Sequence, residues 1–241
     1  MIGVDHLGAV TVLTIDRQHR RNAVDAEACE DLLAHLGEAV ARQARAIVLT
    51  GAGGHFCAGA DLSGVEGDRF RSSLRALLDG LCEAPVPIVA AVDGVALGAG
   101  TQLAVACDLR VATPAARFGI PAAKLGLMVD HWTVQRLALL AGHGPARAML
   151  LAAEEVSGED ALRLGLVQKQ GDLAFALEWA DRIAALAPLS IAGHKLALNR
   201  LEPALADPDV DAAVRRAWSS DDLAEGQAAF RERRPARFQG R

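Results

Sequence analysis

Two runs dense in glycine and other small residues carry the first chemical suggestion. One is Thr50-Gly51-Ala52-Gly53-Gly54-His55-Phe56-Cys57-Ala58-Gly59-Ala60-Asp61-Leu62, and the other is Asp93-Gly94-Val95-Ala96-Leu97-Gly98-Ala99-Gly100-Thr101-Gln102-Leu103. Neither contains G-x-x-x-x-G-K-[ST] or G-x-G-x-x-G, so those two phosphate-cradling loops are excluded. Two readings of the pair remain open. In one, the runs are tight turns whose glycines supply positive φ. In the other, each turn aims a backbone N–H into a shared crevice, the second from a helix N-terminus whose dipole favours negative charge. Two convergent amides suit a carbonyl oxygen that gains charge, because they are pre-oriented and need no reorganisation.

Other chemistry is sparse. His6, His35, His143 and His194 show no metal-ligand spacing and read as surface or packing residues, while His19 and His55 fall in polar loops where solvation is expected. Ser63 lacks a nucleophile-elbow motif, so no Ser-His-Asp arrangement can be drawn. Cys29, Cys57, Cys82 and Cys107 lie far apart with no C-x-x-C. That argues against a zinc site or a disulfide framework, and fits buried small apolar residues in a reducing cytoplasm.

The elements that must position these turns follow from periodicity. Val10 to Ile15 reads as a strand, followed by a polar loop from Asp16 to Asn22. Asp25 stands where an N-cap belongs, ahead of Cys29, Leu32, Leu33, Leu36 and Val40 at helical spacing. Ala46 to Thr50 and Pro85 to Val92 read as strands buried on both faces, each delivering one glycine run. The first run leads into a polar stretch, Ser63 to Ser73, expected to be a mobile connection. The second leads into a short apolar helix ending near Cys107. Leu109 to Ala112 and Arg117 to Gly119 are two brief strands. Beyond Trp132 the pattern is helical, with breaks near Gly142, Gly158, Gly171 and Pro188, and a last amphipathic helix begins at Asp207-Pro208 and carries Val210, Val214, Ala217 and Trp218. Strands alternating with helices, then a helical tail, make an α/β chain with no exact internal repeat.

The 241 residues are 51% apolar but only 4% aromatic, with no tyrosine, so small and branched aliphatics must pack a sizeable core. A net charge of −5 with no long Lys/Arg block argues against nucleic-acid binding. The most apolar stretch, Val86 to Val92, is broken by Pro87 and stopped by Asp93, far short of a membrane span. Met1 to Val10 holds Asp5 and His6 and lacks the basic-then-apolar form of a secretory leader, which fits a cytoplasmic location.

Along its whole length the sequence resembles the crotonase superfamily, the enoyl-CoA hydratase/isomerase family. The resemblance is carried by Arg20-Arg21-Asn22-Ala23, Phe56 to Leu62, Gly94 to Leu103 and Cys107-Asp108-Leu109. It continues in Asp222-Leu223-Ala224-Glu225-Gly226-Gln227-Ala228-Ala229-Phe230 and Arg233-Arg234-Pro235-Ala236-Arg237-Phe238. It implies an α/β spiral of ββα units over residues 1–190, with an acyl-CoA site. A helical region over 191–241 would build a homotrimer, or a hexamer as a dimer of trimers. By the same resemblance the N–H groups of Ala58 and Ala99 form an oxyanion hole, with Gly98 beside them. Ala60, Asp61 and Leu62 border the adenine and pantetheine, Arg17 and Arg21 lie near the phosphates, and Phe238 lies against a neighbouring subunit's CoA. No metal is implied, and no cofactor beyond coenzyme A as part of the substrate.

Two positions depart from the family's hydratases. The two glutamates that add water across a double bond correspond to Gln102 and Ala122. Glutamine can hold a water but cannot act as its base, so hydration should be weak or lost. Ala99 replaces the usual glycine, and its methyl group narrows the crevice. The stretch Gly126-Leu127-Met128-Val129-Asp130-His131-Trp132-Thr133 departs as well. Asp130 matches in position a carboxylate that dienoyl-CoA isomerases and an aryl-CoA dehalogenase use. A buried carboxylate beside Trp132 would suit proton shuttling, but Asp130 also stands where it would cap a helix starting at His131. His131 reads as pocket lining or packing, and Trp132 as a wall of the acyl tunnel. The expectation is therefore a protein of lipid metabolism, like an actinobacterial subgroup lacking both glutamates, that binds fatty acyl-CoA. The alternative is an enoyl-CoA isomerase or other CoA-enolate enzyme using Asp130. A working hydratase would need a substitute acid and base.

Overall fold

A computed structural model of the chain describes residues 1–61, 67–201 and 208–239. The chain opens with a hairpin, β1 (Ile2–Leu7) and β2 (Val10–Ile15), which turns at Gly8 with φ +62°. A short 3₁₀ turn (Gln18–Arg20) leads to α1 (Ala26–Ala41), which Asp25 caps as its position implies, accepting from Ala28 N–H at 2.9 Å. Then come β3 (Ala46–Gly51), α2 (Gly67–Glu83), β4 (Ile88–Val92), β5 (Val95–Leu97) and α3 (Ala99–Ala106). Next are β6 (Leu109–Ala112), β7 (Arg117–Gly119), a 3₁₀ turn (Pro121–Leu125), α4 (His131–Ala141) and α5 (His143–Leu151). The remainder is β8 (Glu155–Ser157), α6 (Gly158–Arg163), β9 (Lys169–Gln170), α7 (Leu173–Ala184), α8 (Pro188–Asn199), α9 (Pro208–Trp218) and α10 (Asp221–Glu232).

The strands form a six-stranded sheet, ordered β1-β2-β3-β4-β6-β9, and a three-stranded sheet, ordered β5-β7-β8. Beyond the first hairpin the larger sheet is parallel. The chain spirals between the sheets, because β4 then β5 then α3, and β6 then β7 then α4, each give one strand to each sheet before a helix. After β3 the same step is reduced to one bridge, Cys57 to Ala96. The period is spatial, which is why the residues show no repeat.

Alternation in the parallel strands decides which core each residue enters. Val10, Val12, Ala46, Val48, Val89 and Ala91 face α7, whose Ala176, Ala180 and Ala184 fall one turn apart. These small residues let the helix lie close against the sheet. Leu13, Ile15, Ile47, Leu49, Ile88 and Ala90 face the other way, into the larger core with Leu32 and Leu36 of α1. Here the scarcity of aromatics has a structural counterpart.

Several sequence expectations need correction. Of the polar stretch Ser63 to Ser73, residues 63–66 lie outside the described residues, and from Gly67 onward it is not a connection but the first turns of α2. Asp68, Arg69, Arg71 and Ser72 hide an amphipathic period whose apolar face, Phe70, Leu74, Leu77, Leu78 and Leu81, is buried. The expected single last helix is two. Ser220 caps α10 separately from α9, accepting from Leu223 N–H at 3.2 Å, and Asp207 lies outside the described residues. α10 packs backbone to backbone on the 3₁₀ turn, for a Cβ on Gly226 would lie 2.4 Å from Leu125 O. The division expected between residues 190 and 191 falls inside α8, which starts at Pro188.

Two buried cations tie the spiral together. Arg110 on β6 is 1% exposed. It donates to the carbonyls of Leu166, Ala104, Cys107 and Asp108 at 2.6, 3.1, 2.7 and 3.3 Å, and to Gln168 Oε1 at 3.1 Å. Burial pulls its pKa down to about 10. Lys195 of α8 bonds Asp108 at 2.7 Å and the carbonyls of Leu81 and Val86 at 3.0 and 3.1 Å, which anchors the C-terminal helices to the core. Burial pushes the Asp108 carboxyl up, against the pull of that ammonium.

Replacing Arg110 with Ala orphans those buried acceptors and opens a cavity, so stability should fall by about 3–5 kcal/mol. A urea titration showing a loss under about 1 kcal/mol would refute this clamp. Burial pushes the thiols of Cys29, Cys57 and Cys107 up to about 12. Alkylation at pH 8 should therefore spare these three in the folded chain and reach them in urea, as read by mass spectrometry.

Candidate functional site

The two glycine runs meet backbone to backbone. Phe56 N–H donates to Asp93 O at 2.8 Å, Cys57 N–H to Val95 O at 3.0 Å and Leu97 N–H to Cys57 O at 3.0 Å. A Cβ on Gly100 would lie 2.0 Å from Cys57 O, and one on Gly59 would lie 3.0 Å from Leu97 O. Gly98, at φ 52° and ψ −116°, turns the chain into α3 in a conformation suited to glycine. Asn22 locks the first turn from below. Its Nδ2 donates to Ala52 O and His55 O at 2.8 and 2.6 Å, while its Oδ1 accepts from Arg17 N–H at 2.9 Å. His55 is not simply solvated as expected, since its Nδ1 accepts from Val95 N–H at 3.4 Å and steadies the second turn.

Above the turns lies a cleft of about 1420 Å³. Ala58, Gly59, Ala60, Gly98, Ala99 and Gln102 line its floor. Phe70, Leu74 and Leu78 of α2, with Ile120, Ala122, Leu125, Leu127 and Met128, supply apolar wall, and Val214, Trp218 and Phe230 close it from α9 and α10. His19, Arg20, Arg21, Arg231 and Arg233 make other parts of the lining basic.

The amides on the floor differ in availability. Ala58 N–H donates to Arg21 O at 3.0 Å, so the expectation that it serves as a free donor needs correction. Asp61 N–H donates to Val24 O at 2.8 Å, which turns the preceding Ala60 N–H to the opposite side of an extended segment. Neither Ala60 N–H nor Ala99 N–H has an acceptor among the described residues, and both residues line the cleft. Ala99 opens α3, where the first N–H groups lack helical partners. The two free amides thus come from the same two turns, one position shifted in the first.

Gln102, 7% exposed, sits one turn beyond Ala99, and its Nε2 donates to Thr133 Oγ1 at 2.6 Å. Thr133 Oγ1 donates onward to Asp130 Oδ1 at 2.5 Å, and Asp130 also caps α4 through Thr133 N–H at 3.0 Å. Asp130 Oδ2 accepts from Arg75 at 3.1 Å, so both carboxylate oxygens are engaged. Its side chain is 38% exposed, which corrects the expectation of a buried carboxylate. The other two acidic residues lining the cleft among the described residues are likewise paired, Asp61 with Arg17 and Arg20 at 3.4 and 3.6 Å, and Asp68 with Arg71 at 2.5 Å.

The remaining expected site residues are placed elsewhere. Arg17 stands off the cleft, its guanidinium held by Ala23 O at 2.6 Å and by Asp25 and Asp61 at 2.5 and 3.4 Å. Trp132 lies behind the wall, 6% exposed, with Arg75 stacked 4.4 Å above its ring, so it supports a cation and does not wall the tunnel. His131 does not line the cleft, and its Nε2 lies 2.9 Å from Gln135 Nε2. Phe238 is half-exposed and off the cleft, and Leu62 lies outside the described residues. Sequence reading missed Arg20, Arg71, Arg75 and Trp218. Trp218 bonds Met128 O at 2.9 Å and lies 4.7 Å under Arg71. The helical period hidden in α2 is the signal that could have found Arg71 and Arg75, one turn apart.

The sequence profile described as enoyl-CoA hydratase/isomerase matches residues 5–241. The chain is 45% identical over 247 aligned residues to the probable enoyl-CoA hydratase echA6 of Mycobacterium tuberculosis, covering all of both chains. It is 34% identical to the short-chain-enoyl-CoA hydratase of Clostridium acetobutylicum, over 94% of this chain and 93% of that one. The structure of an enoyl-CoA hydratase/isomerase from Pseudoalteromonas atlantica T6c superposes with a TM-score of 0.87 at 30% identity, covering 99% of each chain. Methylmalonyl-CoA decarboxylase, solved in complex with 2-nitronate-propionyl-CoA, shares the fold at a TM-score of 0.91 and 24% identity, over 100% of this chain and 98% of that one. The α/β spiral is thus the crotonase fold, and the chain belongs to the enoyl-CoA hydratase/isomerase family.

Proposed function

We propose that this chain binds fatty acyl-CoA thioesters in lipid metabolism and has weak or no hydratase activity. One observation carries the reading. Among the described residues, the cleft floor presents two unengaged amides beside Gln102 and Ala122, while each acidic residue lining the cleft is paired with arginine. Ala60 and Ala99 N–H would hold the thioester oxygen as an oxyanion hole. The basic lining from Arg20, Arg21, Arg231 and Arg233 suits the CoA phosphates, and the wall from Phe70 to Met128 suits an acyl chain. Water addition needs a base and an acid at the places where Gln102 and an alanine stand. An isomerase working through Asp130 would first have to break its bonds to Arg75 and Thr133.

Leu189, Leu196, Leu198 and Leu201, all more than half exposed on or just after α8, would form a subunit face in a cytoplasmic homotrimer, or in a hexamer made of two trimers.

Calorimetry with palmitoyl-CoA should show binding at micromolar concentration, and absence of heat would remove the basis of the reading. With crotonyl-CoA and longer 2-enoyl-CoAs, turnover should fall at least about 10²–10⁴-fold below that of a two-glutamate hydratase. Turnover near hydratase rates would sink the claim of lost hydration. Isomerisation of a 3-enoyl-CoA that disappears in Asp130→Asn would favour the isomerase instead. Sedimentation as a monomer would overturn the subunit face.

A further inference from the structure

Arg233 and Arg234 follow one another in the chain, yet only Arg233 lines the cleft. Arg233 closes α10 with φ 53° and ψ 41°, a left-handed conformation that an L-residue adopts at a cost and keeps only where neighbours hold it. Its N–H reaches back to Phe230 O at 3.4 Å, and that of Arg234 to Ala229 O at 3.1 Å. Beyond this point the chain reverses and runs back along α10. Arg237 N–H donates to Glu225 Oε1 at 2.7 Å, and Gln239 N–H donates to Asp222 Oδ1 at 2.6 Å.

Glu225 is the centre of this strap. Arg234 meets it through two parallel bonds, Nη1 to Oε1 at 2.6 Å and Nη2 to Oε2 at 2.8 Å, the paired geometry that fixes direction as well as distance. Arg234 Nε donates to Glu232 Oε2 at 2.6 Å, so the guanidinium is held from two sides. The bonds from Arg234 and then from Arg237 N–H hold the Glu225 carboxyl down at about 2, which keeps it charged at neutral pH. At 3.6 residues per turn, Glu225 and Glu232 stand on the far side of α10 from Gln227, Phe230 and Arg231, which line the cleft. The helix itself is seated without the strap. A Cβ on Gly126 would lie 2.4 Å from Asp222 O, as one on Gly226 would from Leu125 O. What the strap fixes is the reversal at Arg233.

We propose that Glu225 is a positioning residue, which grips Arg234 and the tail behind it and so holds Arg233 at the cleft as a cation for the CoA phosphates. This rests on the acyl-thioester reading above. An arginine on a loose chain end must surrender backbone freedom when it meets a ligand, whereas a strapped one has surrendered it on folding. The two neighbouring arginines thus have separate roles, one facing the ligand and the other facing the helix.

Calorimetry with palmitoyl-CoA and with S-palmitoyl-pantetheine, which carries the same thioester and no phosphate, tests this. Glu225→Gln should weaken palmitoyl-CoA binding about three- to tenfold and leave palmitoyl-pantetheine binding unchanged. Arg234→Gln opens the strap from its other end and should do the same, and the double variant should lose no more than either single one. In an Arg233→Gln background, Glu225→Gln should cost nothing further. Unchanged palmitoyl-CoA affinity in either folded single variant overturns this inference alone. So does equal weakening of both ligands, which a merely structural role would give, or a loss that persists once Arg233 is replaced. Failure of palmitoyl-CoA to bind the natural chain overturns the acyl-thioester reading and this inference with it.

Discussion

The carbonyl oxygen of Cys57 lies 2.0 Å from the point a Cβ on Gly100 would occupy, so the first glycine turn and α3 meet with no side chain between them. Everything at the site depends on that approach. It sets the start of α3 against the end of the β3 run, and with it the two amides that no described residue engages. It also explains why all of α3 is buried, since a helix held at backbone distance from its neighbour leaves no solvent-facing side. The spiral exists to make this contact, as consecutive turns of chain deliver their loops to the same edge.

Around that contact, polar side chains are tied to one another. From Gln102 the hydrogen-bond chain runs through Thr133 and Asp130 and ends in a cation stacked on Trp132. Such a chain is well suited to holding a dipole in one direction and poorly suited to moving a proton, since its carboxylate is engaged at both oxygens.

The sequence was informative where local chemistry decides. The two glycine runs, the Asp25 cap, the buried strands Ala46–Thr50 and Ile88–Val92, and the capping role of Asp130 are all legible because turn chemistry and strand burial act within a few residues. It was misleading at α2, where exposed charges interrupt an apolar period, and at the end, where one amphipathic pattern is two helices. It also placed the free amide of the first turn at Ala58. That choice depends on whether Arg21 O occupies the N–H, and Arg21 lies 37 residues earlier in the chain.

Residue order by itself determined which atoms are available: backbone amides in glycine turns, a side-chain amide at position 102, and small aliphatics able to pack closely. Only the tertiary structure decided which of those atoms are free. A hydrogen bond occupies a donor regardless of sequence distance, so the availability of Ala60 and Ala99, the pairing of Asp130 with Arg75, and the orientation of Gln102 all depend on partners brought together by the spiral. Proximity in the chain settles local form, and proximity in space settles chemistry.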